Sequence, residues 1–321
     1  MRIEPWNWKI VTPLLLASAS ATFAQTDVSL LLNNWHSSTT VEAHGDAMLF
    51  PNAHYADQGS IQMTEVEAAG RYRITSDLQL NPTVGYDWTL LDMTGKRGLI
   101  PQCVQDLSIA AATPLIAVDQ GFIGALVGVG YAGDEAFGDD SGWYGKADLM
   151  YGRTINKNSD LLLFVEYDGN RTLLPDVPIP GIEYSNHALP NFSFIAGFPE
   201  SSISYTILPP LKLSATWDFP YTFSGDLKYS LSRSFTLFVK YVDEENAFHT
   251  EYLDSDRRLF FQQQRVEAGM TYHCGSSLEF LLGAGYAFSR EFSTGFDDRN
   301  RTGTGDIADA PYLRAGVTIR F

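Results

Sequence analysis

Apolar and polar side chains alternate along much of this chain with a period of two residues. In 311–321, apolar residues occupy every second position from Leu313 to Phe321, and mostly polar residues or glycine lie between them. Successive side chains of a strand point to opposite faces. The pattern therefore predicts a strand with one apolar and one polar face. The same alternation recurs in 143–153, 263–273 and 278–288.

The alternation and the turn residues between runs divide the chain into fourteen extended segments of roughly 8–15 residues. They are predicted at 28–35, 61–74, 78–91, 104–118, 121–131, 143–155, 160–168, 191–207, 211–217, 222–231, 234–242, 259–273, 278–290 and 311–321.

The connections between these segments alternate between short turns and long loops rich in Asp, Glu, Gly and Asn. Such alternation is typical of bacterial membrane barrels, with short periplasmic turns and longer outer loops. The stretch 218–220 is short where an outer loop is expected, and if 191–217 forms fewer strands the count falls to twelve. The predicted fold is all-β: a transmembrane antiparallel up-and-down β-barrel of about 14 strands, or 12 in the alternative.

Composition narrows the class further. Among the 321 residues there is no run of about 18 apolar residues that would form a transmembrane helix. An integral membrane protein without such a run must be a closed barrel, and an aromatic share of 13% suits the aromatic girdles of a barrel wall. A formal net charge of −16 repels nucleic acid, which is excluded as a partner.

The start of the chain has the features of a secretory signal. A basic first segment precedes a short apolar stretch over 10–17, and small residues follow up to Ala24. Cleavage is predicted after Ala24, with Ala21 as the alternative. Residues 1–24 are thus predicted to be a signal peptide and 25–321 the barrel domain.

Two stretches resemble known bacterial proteins. The final strand resembles the C-terminal signature of outer-membrane β-barrels, which ends in Phe. The run from Leu189 to Tyr205, continuing through 211–229, is similar to the central part of an outer-membrane family known only as a domain of unknown function. These resemblances imply a barrel in the Gram-negative outer membrane, with lipid and lipopolysaccharide as partners, and they imply no substrate or catalytic residue. The first implies recognition by the barrel assembly machinery through Leu313, Val317, Ile319 and Phe321.

The polar faces of the predicted strands carry charges of both signs. Together with the acidic outer loops, these faces favour a porin-like or gated channel for small solutes with mild cation preference. The alternative is a structural or surface-interaction barrel whose lumen is closed by pairing of the same charges. The predicted lumen-facing charges are Glu65, Glu67, Arg71, Arg73, Lys146, Asp148, Arg265, Glu267, Glu279, Arg314 and Arg320.

No catalytic motif appears. The six histidines show no HExxH spacing and no GxSxG elbow occurs. A formal GxGxxG match begins at Gly128, but it lies in a predicted strand without the helix that dinucleotide binding needs. The chain is predicted not to be an enzyme; an outer-membrane hydrolase with a triad from distant positions is the weakest of the three functional readings.

One acidic loop has the spacing of oxygen ligands that calcium uses, with a Gly at the sixth position. Without flanking helices, and with Arg299 and Arg301 inside it, the default reading is a solvated loop, and no other cofactor is predicted. The candidate calcium ligands are Asp298, Asn300, Thr302, Asp306 and Asp309.

Two further features concern loops and thiols. The stretch 169–190 is apolar and rich in proline, and an exposed apolar loop usually covers something. It is predicted to fold as a lid or constriction at the barrel mouth, or to pack against neighbouring loops or a partner. Cys103 and Cys274 are predicted at opposite ends of the barrel, too far apart for a disulfide.

Overall fold

The structure, a computed structural model, describes most of the barrel domain. The described residues are 26–31, 39–51, 53–55, 58–74, 82–94, 98, 100–138, 140–219 and 222–321. The predicted signal peptide lies outside them, so its cleavage stays a prediction.

Nineteen strands are present in the described ranges. In chain order they are β1 (Val41–Phe50), β2 (His54–Tyr55), β3 (Gln58–Ser60), β4 (Met63–Arg73), β5 (Thr83–Met93), β6 (Cys103–Val118), β7 (Gly121–Gly133), β8 (Trp143–Asn156), β9 (Ser159–Asp168), β10 (Ile179–Leu189), β11 (Phe192–Phe198), β12 (Glu200–Leu208), β13 (Leu211–Asp218), β14 (Thr222–Ser230), β15 (Phe235–Phe248), β16 (Arg258–Cys274), β17 (Leu278–Gly295), β18 (Thr302–Ile307) and β19 (Ala310–Arg320). Two short 3₁₀ helices, Asp140–Gly142 and Asp298–Asn300, and one helical turn at 28–31 complete the described secondary structure.

Sixteen of these strands form a closed antiparallel ring, and β2, β3 and β18 are short additions to it. Closure occurs at β1, which pairs with β4 on one side and with β19 on the other. Ala47, for example, is opposite Val66 on β4 and Ala315 on β19. The predicted all-β, antiparallel closed barrel is confirmed.

No helix among the described residues has the length and apolar character needed to cross a bilayer.

The predicted strand counts of 14 and 12 are wrong, since the ring has 16 strands. The segment 28–35 is not a strand where it is described, because 28–31 forms a helical turn. The segment 191–207 is two strands, β11 and β12, with Pro199 between them.

The prediction also missed β1 and β10, which lie inside stretches read as outer loops. On β1 the outward positions include small residues such as Ala43, Gly45 and Ala47, so the apolar half of the alternation is weak. At the start of β10, Pro180 interrupts the sequence pattern of a strand. In the structure Pro180 nevertheless lies in the antiparallel pairing with β9. Both strands become recognisable once the strands that pair with them are known.

The wall has an apolar outside and a polar inside. Val127 and Leu282 point outward and are 66% and 61% exposed, whereas Asp148 and Arg265 point inward and are buried. This inverts the arrangement of a soluble protein and is stable where lipid surrounds the wall. The fold is that of a transmembrane barrel.

The two ends of the barrel differ. At one end the connections are tight, as between β6 and β7 or β8 and β9; in bacterial barrels this is the periplasmic end. At the outer end most connections are longer and carry β2, β3 and β18. Strands β11 to β14 have only 7 to 9 residues and two short outer turns, whereas β15 to β17 have 14 to 18 residues. The outer rim is therefore lowest at β11 to β14.

Candidate functional site: the barrel lumen

One half of the lumen is lined by charges that pair with each other. Arg265 on β16 lies 2.6 Å from Glu244, 3.3 Å from Glu65 and 3.6 Å from Glu67. Glu65 and Glu67 belong to β4, with three strands between β4 and β16 in the ring. The contacts therefore cross the interior, which establishes that these side chains face the lumen.

Arg314 on β19 is the second centre of this network. It lies 2.7 Å from Asp46, 3.7 Å from Glu267 and 3.9 Å from Glu67. Asp46 also contacts the His44 ring at 2.6 Å, and the other ring nitrogen of His44 lies 2.8 Å from the Thr318 hydroxyl. We call this surface of β1, β4, β15, β16 and β19 the paired wall.

Other predicted lumen charges meet near the periplasmic end. Glu42 accepts from Arg320 at 2.9 Å and pairs with Arg71 at 2.5 Å. Glu279 lies 3.4 Å from Arg320. Arg73 follows Arg71 on the same face of β4. Lys146 and Asp148 are far from this group, on β8, and the structure does not bring them to the paired wall.

The opposite half of the lumen is acidic. Asp148 and Glu166 are directly opposite each other on β8 and β9, and Glu200 and Asp218 on β12 and β13. Glu183 on β10 lies between the two pairs in the ring. We call the surface formed by these five carboxylates the acidic wall. Of these five, only Asp148 was predicted to face the lumen. Glu183 lies on the unrecognised β10, Glu200 in the stretch read as one strand, and Asp218 in a predicted loop; Glu166 was overlooked on a predicted strand.

Two members of the acidic wall are deeply buried. Asp148 and Glu183 are each 5% exposed. The Oδ2 atom of Asp148 has no hydrogen-bond partner among the described residues. Within those residues two basic side chains lie close to this wall. Lys146 binds Asp168 at 2.9 Å, outside the wall, and Arg171 binds Glu166, the one wall carboxylate that has an ion pair in the described part of the chain.

Residues 26–31 lie inside the barrel. The Thr26 hydroxyl contacts Asp87 at 2.6 Å and Ser108 at 2.7 Å, and accepts from Lys146 at 3.2 Å. Leu30 and Leu31 are fully buried. They belong to an apolar cluster whose other members are Val28, Ala110, Ala112, Phe122, Leu126, Met150, Leu162 and Phe164. We call 26–31 the lumen segment; its apolar residues from Val28 onward were misread as the start of a strand.

A second apolar cluster lies at the outer end. It joins the outer ends of β1, β4 to β6, β15 to β17 and β19 to residues of β2 and β18, and the guanidinium of Arg290 lies 4.5 Å from the ring centroid of Phe50 within it. We call it the outer cap. Its buried members are Met48, Phe50, Ala53, Tyr55, Ile61, Met63, Leu91, Met93, Ile100, Val104, Phe248, Leu259, Phe261, Ala287, Phe292, Ile307, Ala310 and Tyr312.

The predicted lid over 169–190 is wrong for its second half, because Ile179–Leu189 is the wall strand β10. In the first half, Arg171 binds Glu166 at 3.0 Å and the Thr172 carbonyl accepts from the Asp298 amide at 3.2 Å. This half therefore packs against a neighbouring outer loop, which was the second reading of the sequence.

The predicted calcium ligands lie in different elements. Asp298 and Asn300 are in a 3₁₀ helix that Asp297 caps, and Thr302 and Asp306 are on β18, which pairs with β17. Asp309 follows β18. An extended strand does not curl around an ion, so the structure does not favour the calcium loop, which stays a prediction.

Within the described part of the chain, one group of three carboxylates has oxygens within 4.8 Å of one another, namely Glu65, Glu67 and Glu244. Arg265 contacts all three, so a cation of the protein itself already occupies this cluster.

Both cysteines are free thiols. Cys103 begins β6 at the outer end and Cys274 ends β16 at the periplasmic end. The prediction that they form no disulfide is confirmed.

An acidic pocket of about 390 Å³ opens between two outer loops, lined by Asp134, Glu135, Ser141 and Glu251 among others. Burial raises the pKa of the Asp134 carboxyl, and the negative charges of Glu251 and Glu135 add to the effect. The pocket is a feature of the outer surface and is separate from the lumen.

Comparison with known proteins gives distant structural likenesses. No family model matches the chain, and no curated protein does. The Pseudomonas putida toluene transporter TodX aligns with a TM-score of 0.39 at 9% identity, over 90% of this chain and 91% of TodX. A bacterial polysaccharide outer membrane secretin gives 0.38 at 10% identity, over 88% and 99%. Acinetobacter baumannii Omp33 gives 0.36 at 10% identity, over 88% and 98%.

Structural similarities as distant as these do not indicate a function. The geometry of the chain itself defines the class of the protein. A closed ring with an even number of antiparallel strands, an apolar exterior and tight turns at one end is the architecture of bacterial outer-membrane β-barrels. The chain is an outer-membrane β-barrel protein.

Proposed function

We propose that this protein is a porin-like channel for small solutes, narrowed by the lumen segment and the outer cap. The observation that carries the proposal is the ring of sixteen strands with charged residues on its inner face. Barrels of about 16–18 strands enclose an aqueous channel unless something fills it. Among the described residues the fillings are local: the lumen segment lies against β6 to β9, and the outer cap covers the side of the paired wall.

The charge of the lining supports cation preference. On the paired wall the negative charge is partly offset, because Arg265 and Arg314 each contact several carboxylates. The acidic wall has an excess of negative charge. A low-dielectric wall concentrates the field of such an excess and raises the local concentration of cations.

Single-channel recording of the refolded protein in planar bilayers tests the proposal. We expect discrete conductance steps and a reversal potential that favours K⁺ over Cl⁻ in a KCl gradient. Folding is checked by the shift in gel mobility on heating. A folded protein that produces no steps over many insertions would contradict the channel function.

A closed structural barrel is the second candidate, and a specific observation favours it. The lumen segment and the outer cap both contribute clusters of buried apolar side chains, which water does not cross readily. In that case liposomes that contain the folded protein would retain ions and small sugars. Release by the wild-type protein would exclude this candidate.

The remaining sequence expectations stay proposals. Contact with lipopolysaccharide, recognition of the final strand by the assembly machinery and kinship with the family of unknown function are supported by the barrel fold alone. No catalytic role is proposed for any residue, and the His44–Asp46 contact is assigned to the paired wall because Arg314 shares the same carboxylate.

A further inference from the structure

The acidic wall has the features of a binding surface. Like charges directly opposite each other across a strand pair are destabilising. The barrel nevertheless holds two such pairs, Asp148 with Glu166 and Glu200 with Asp218. A protein that keeps this arrangement gains stability when a cationic ligand neutralises it.

The side chains of the acidic wall are directed toward one another. Glu183 is opposite Gly197 on β11, and its Cγ lies 2.6 Å from where a Cβ of Gly197 would be. The glycine therefore leaves room for Glu183 to extend toward β12, where Glu200 begins the next strand. Asp218 completes this row as the partner of Glu200.

The surroundings of the wall add negative charge. Asp27 on the lumen segment repels all five carboxylates of the acidic wall. The free Oδ2 atom of Asp148 and the buried position of Glu183 leave two carboxylates whose charge no described side chain neutralises by direct contact. Among the described residues, neutralisation of these two carboxylates is therefore left to a bound proton or to an added cation.

Apolar side chains lie between the carboxylates. Glu183 is opposite Leu162, and Gly181 is opposite Phe164, both on β9. Met150 follows Asp148 on the inner face of β8. These apolar side chains are already buried in the cluster with Leu30 and Leu31, so the carboxylates select the ligand. Their spread over several strands suits ammonium groups held apart by a methylene chain.

The wall does not have the arrangement of a metal site. Metal ions need several oxygens that converge on one point. In the described ranges, three carboxylates converge in this way only at Glu65, Glu67 and Glu244, and none of these belongs to the acidic wall. The carboxylates of the acidic wall are instead spread over strands β8 to β13.

The acidic wall is also reachable from outside. Glu200 and Asp218 are at the outer ends of β12 and β13, where the rim is lowest, and both are partly exposed. No described member of the outer cap comes from the strands β8 to β14.

We propose that the acidic wall is a binding track for small aliphatic cations with two or more ammonium groups, entered at Glu200 and Asp218 and continued at Glu183 and Asp148. That such cations also cross the membrane here rests on the proposed channel function.

Equilibrium binding tests the track separately from conduction. Isothermal titration calorimetry uses the folded wild-type protein in detergent with 1,4-diaminobutane as the probe and 1,4-butanediol as its neutral analogue. We expect saturable binding of the diamine and none of the diol. The Glu183→Gln variant should raise the dissociation constant at least tenfold, and Glu200→Gln, at a partly exposed site that tolerates substitution, at least threefold.

The matched control is Asp256→Asn, which removes one negative charge from an exposed outer loop; its dissociation constant should stay within twofold of wild type. An equal loss in this control would show diffuse surface attraction and overturn the track. So would absence of diamine binding to wild type, or Mg²⁺ that binds as tightly and displaces the diamine. Diamine binding by a protein that shows no conductance would refute the channel function and support the binding track. Conductance without diamine binding would support the channel function and refute the binding track.

Discussion

At the scale of single residues, the two walls of the lumen treat charge in opposite ways. On the paired wall each arginine contacts several carboxylates, and Arg265 has only 4% of its side chain exposed. On the acidic wall the carboxylates face one another. Removal of one charge should therefore destabilise the first wall and stabilise the second.

Replacement of Arg265 by Met should lower the free energy of unfolding by about 3–5 kcal/mol, because it leaves Glu65 and Glu244 buried without their partner. Urea unfolding of the barrel in lipid vesicles measures this. The control is Arg320→Met, whose arginine is 43% exposed and pairs with Glu42, and which should cost about 1 kcal/mol or less. Equal losses in the two variants would show that the lumen is solvated like the surface.

The Glu200→Gln substitution should raise the free energy of unfolding by about 0.2–1 kcal/mol in the absence of diamine, since it removes repulsion from Asp218. The comparison variant is Asp226→Asn. Asp226 is opposite Lys240 and accepts a hydrogen bond from Ser214 at 3.0 Å, so this change should destabilise the barrel. Urea unfolding measures the stability of both variants. A lower free energy of unfolding for Glu200→Gln would show that a bound cation or a rearranged side chain already relieves the repulsion.

At the scale of elements, the lumen segment is the part of the barrel best suited to move. It contributes no strand to the ring, and its attachment includes the Thr26 hydrogen bonds and the burial of its apolar side chains. Leu31 lies against Gly124, where an added Cβ would come within 2.9 Å of its Cδ2 atom. Leu31 packs closely against Gly124, so a charged side chain at position 31 should displace the lumen segment from the barrel wall.

The Leu31→Asp substitution should increase single-channel conductance, because an unpaired charge is not retained in an apolar cluster. It should also make the segment accessible to added protease while the barrel remains folded. Val177→Asp makes the same chemical change at a loop position that is 45% exposed, and should alter neither property. Unchanged conductance of folded Leu31→Asp would show that the segment does not restrict the channel.

At the scale of the whole molecule, closure of the ring depends on the β1–β19 seam. Ala47 and Ala315 are opposite each other across it. Cysteines at both positions, in a background where Cys103 and Cys274 are serine, should form a disulfide on mild oxidation, since opposed residues have Cα atoms about 4.5–5.5 Å apart. Altered gel mobility without reductant reports the bond.

The control pairs a cysteine at Ala47 with one at Ala284. Ala284 lies on β17, which is separated from β1 by β19. Two strand spacings of about 4.8 Å exceed the reach of a disulfide, so no bond should form. A bond in the control, or none at the seam, would contradict the closed order of strands.

The sequence by itself determined the class of fold and the positions of most strands, because the period-two alternation is a local property that each strand carries. The strands that contain Asp148 and Arg265 were therefore predicted from the sequence alone. Weak alternation hid β1, with its small outward residues, and a proline hid the start of β10. With 191–207 read as one strand and 28–35 wrongly counted, the prediction fell two strands short of the ring.

Only the tertiary structure decided which charges meet. Arg265 reaches Glu65 across the lumen, and Glu183 reaches toward Glu200 over Gly197, because closure of the ring fixes which strands are opposite and which are adjacent. No local pattern encodes those distances. The same holds for the lumen segment, whose leucines are buried only because a closed wall surrounds them. It also holds for the difference between the half of the lining where arginines contact carboxylates and the half where carboxylates face one another.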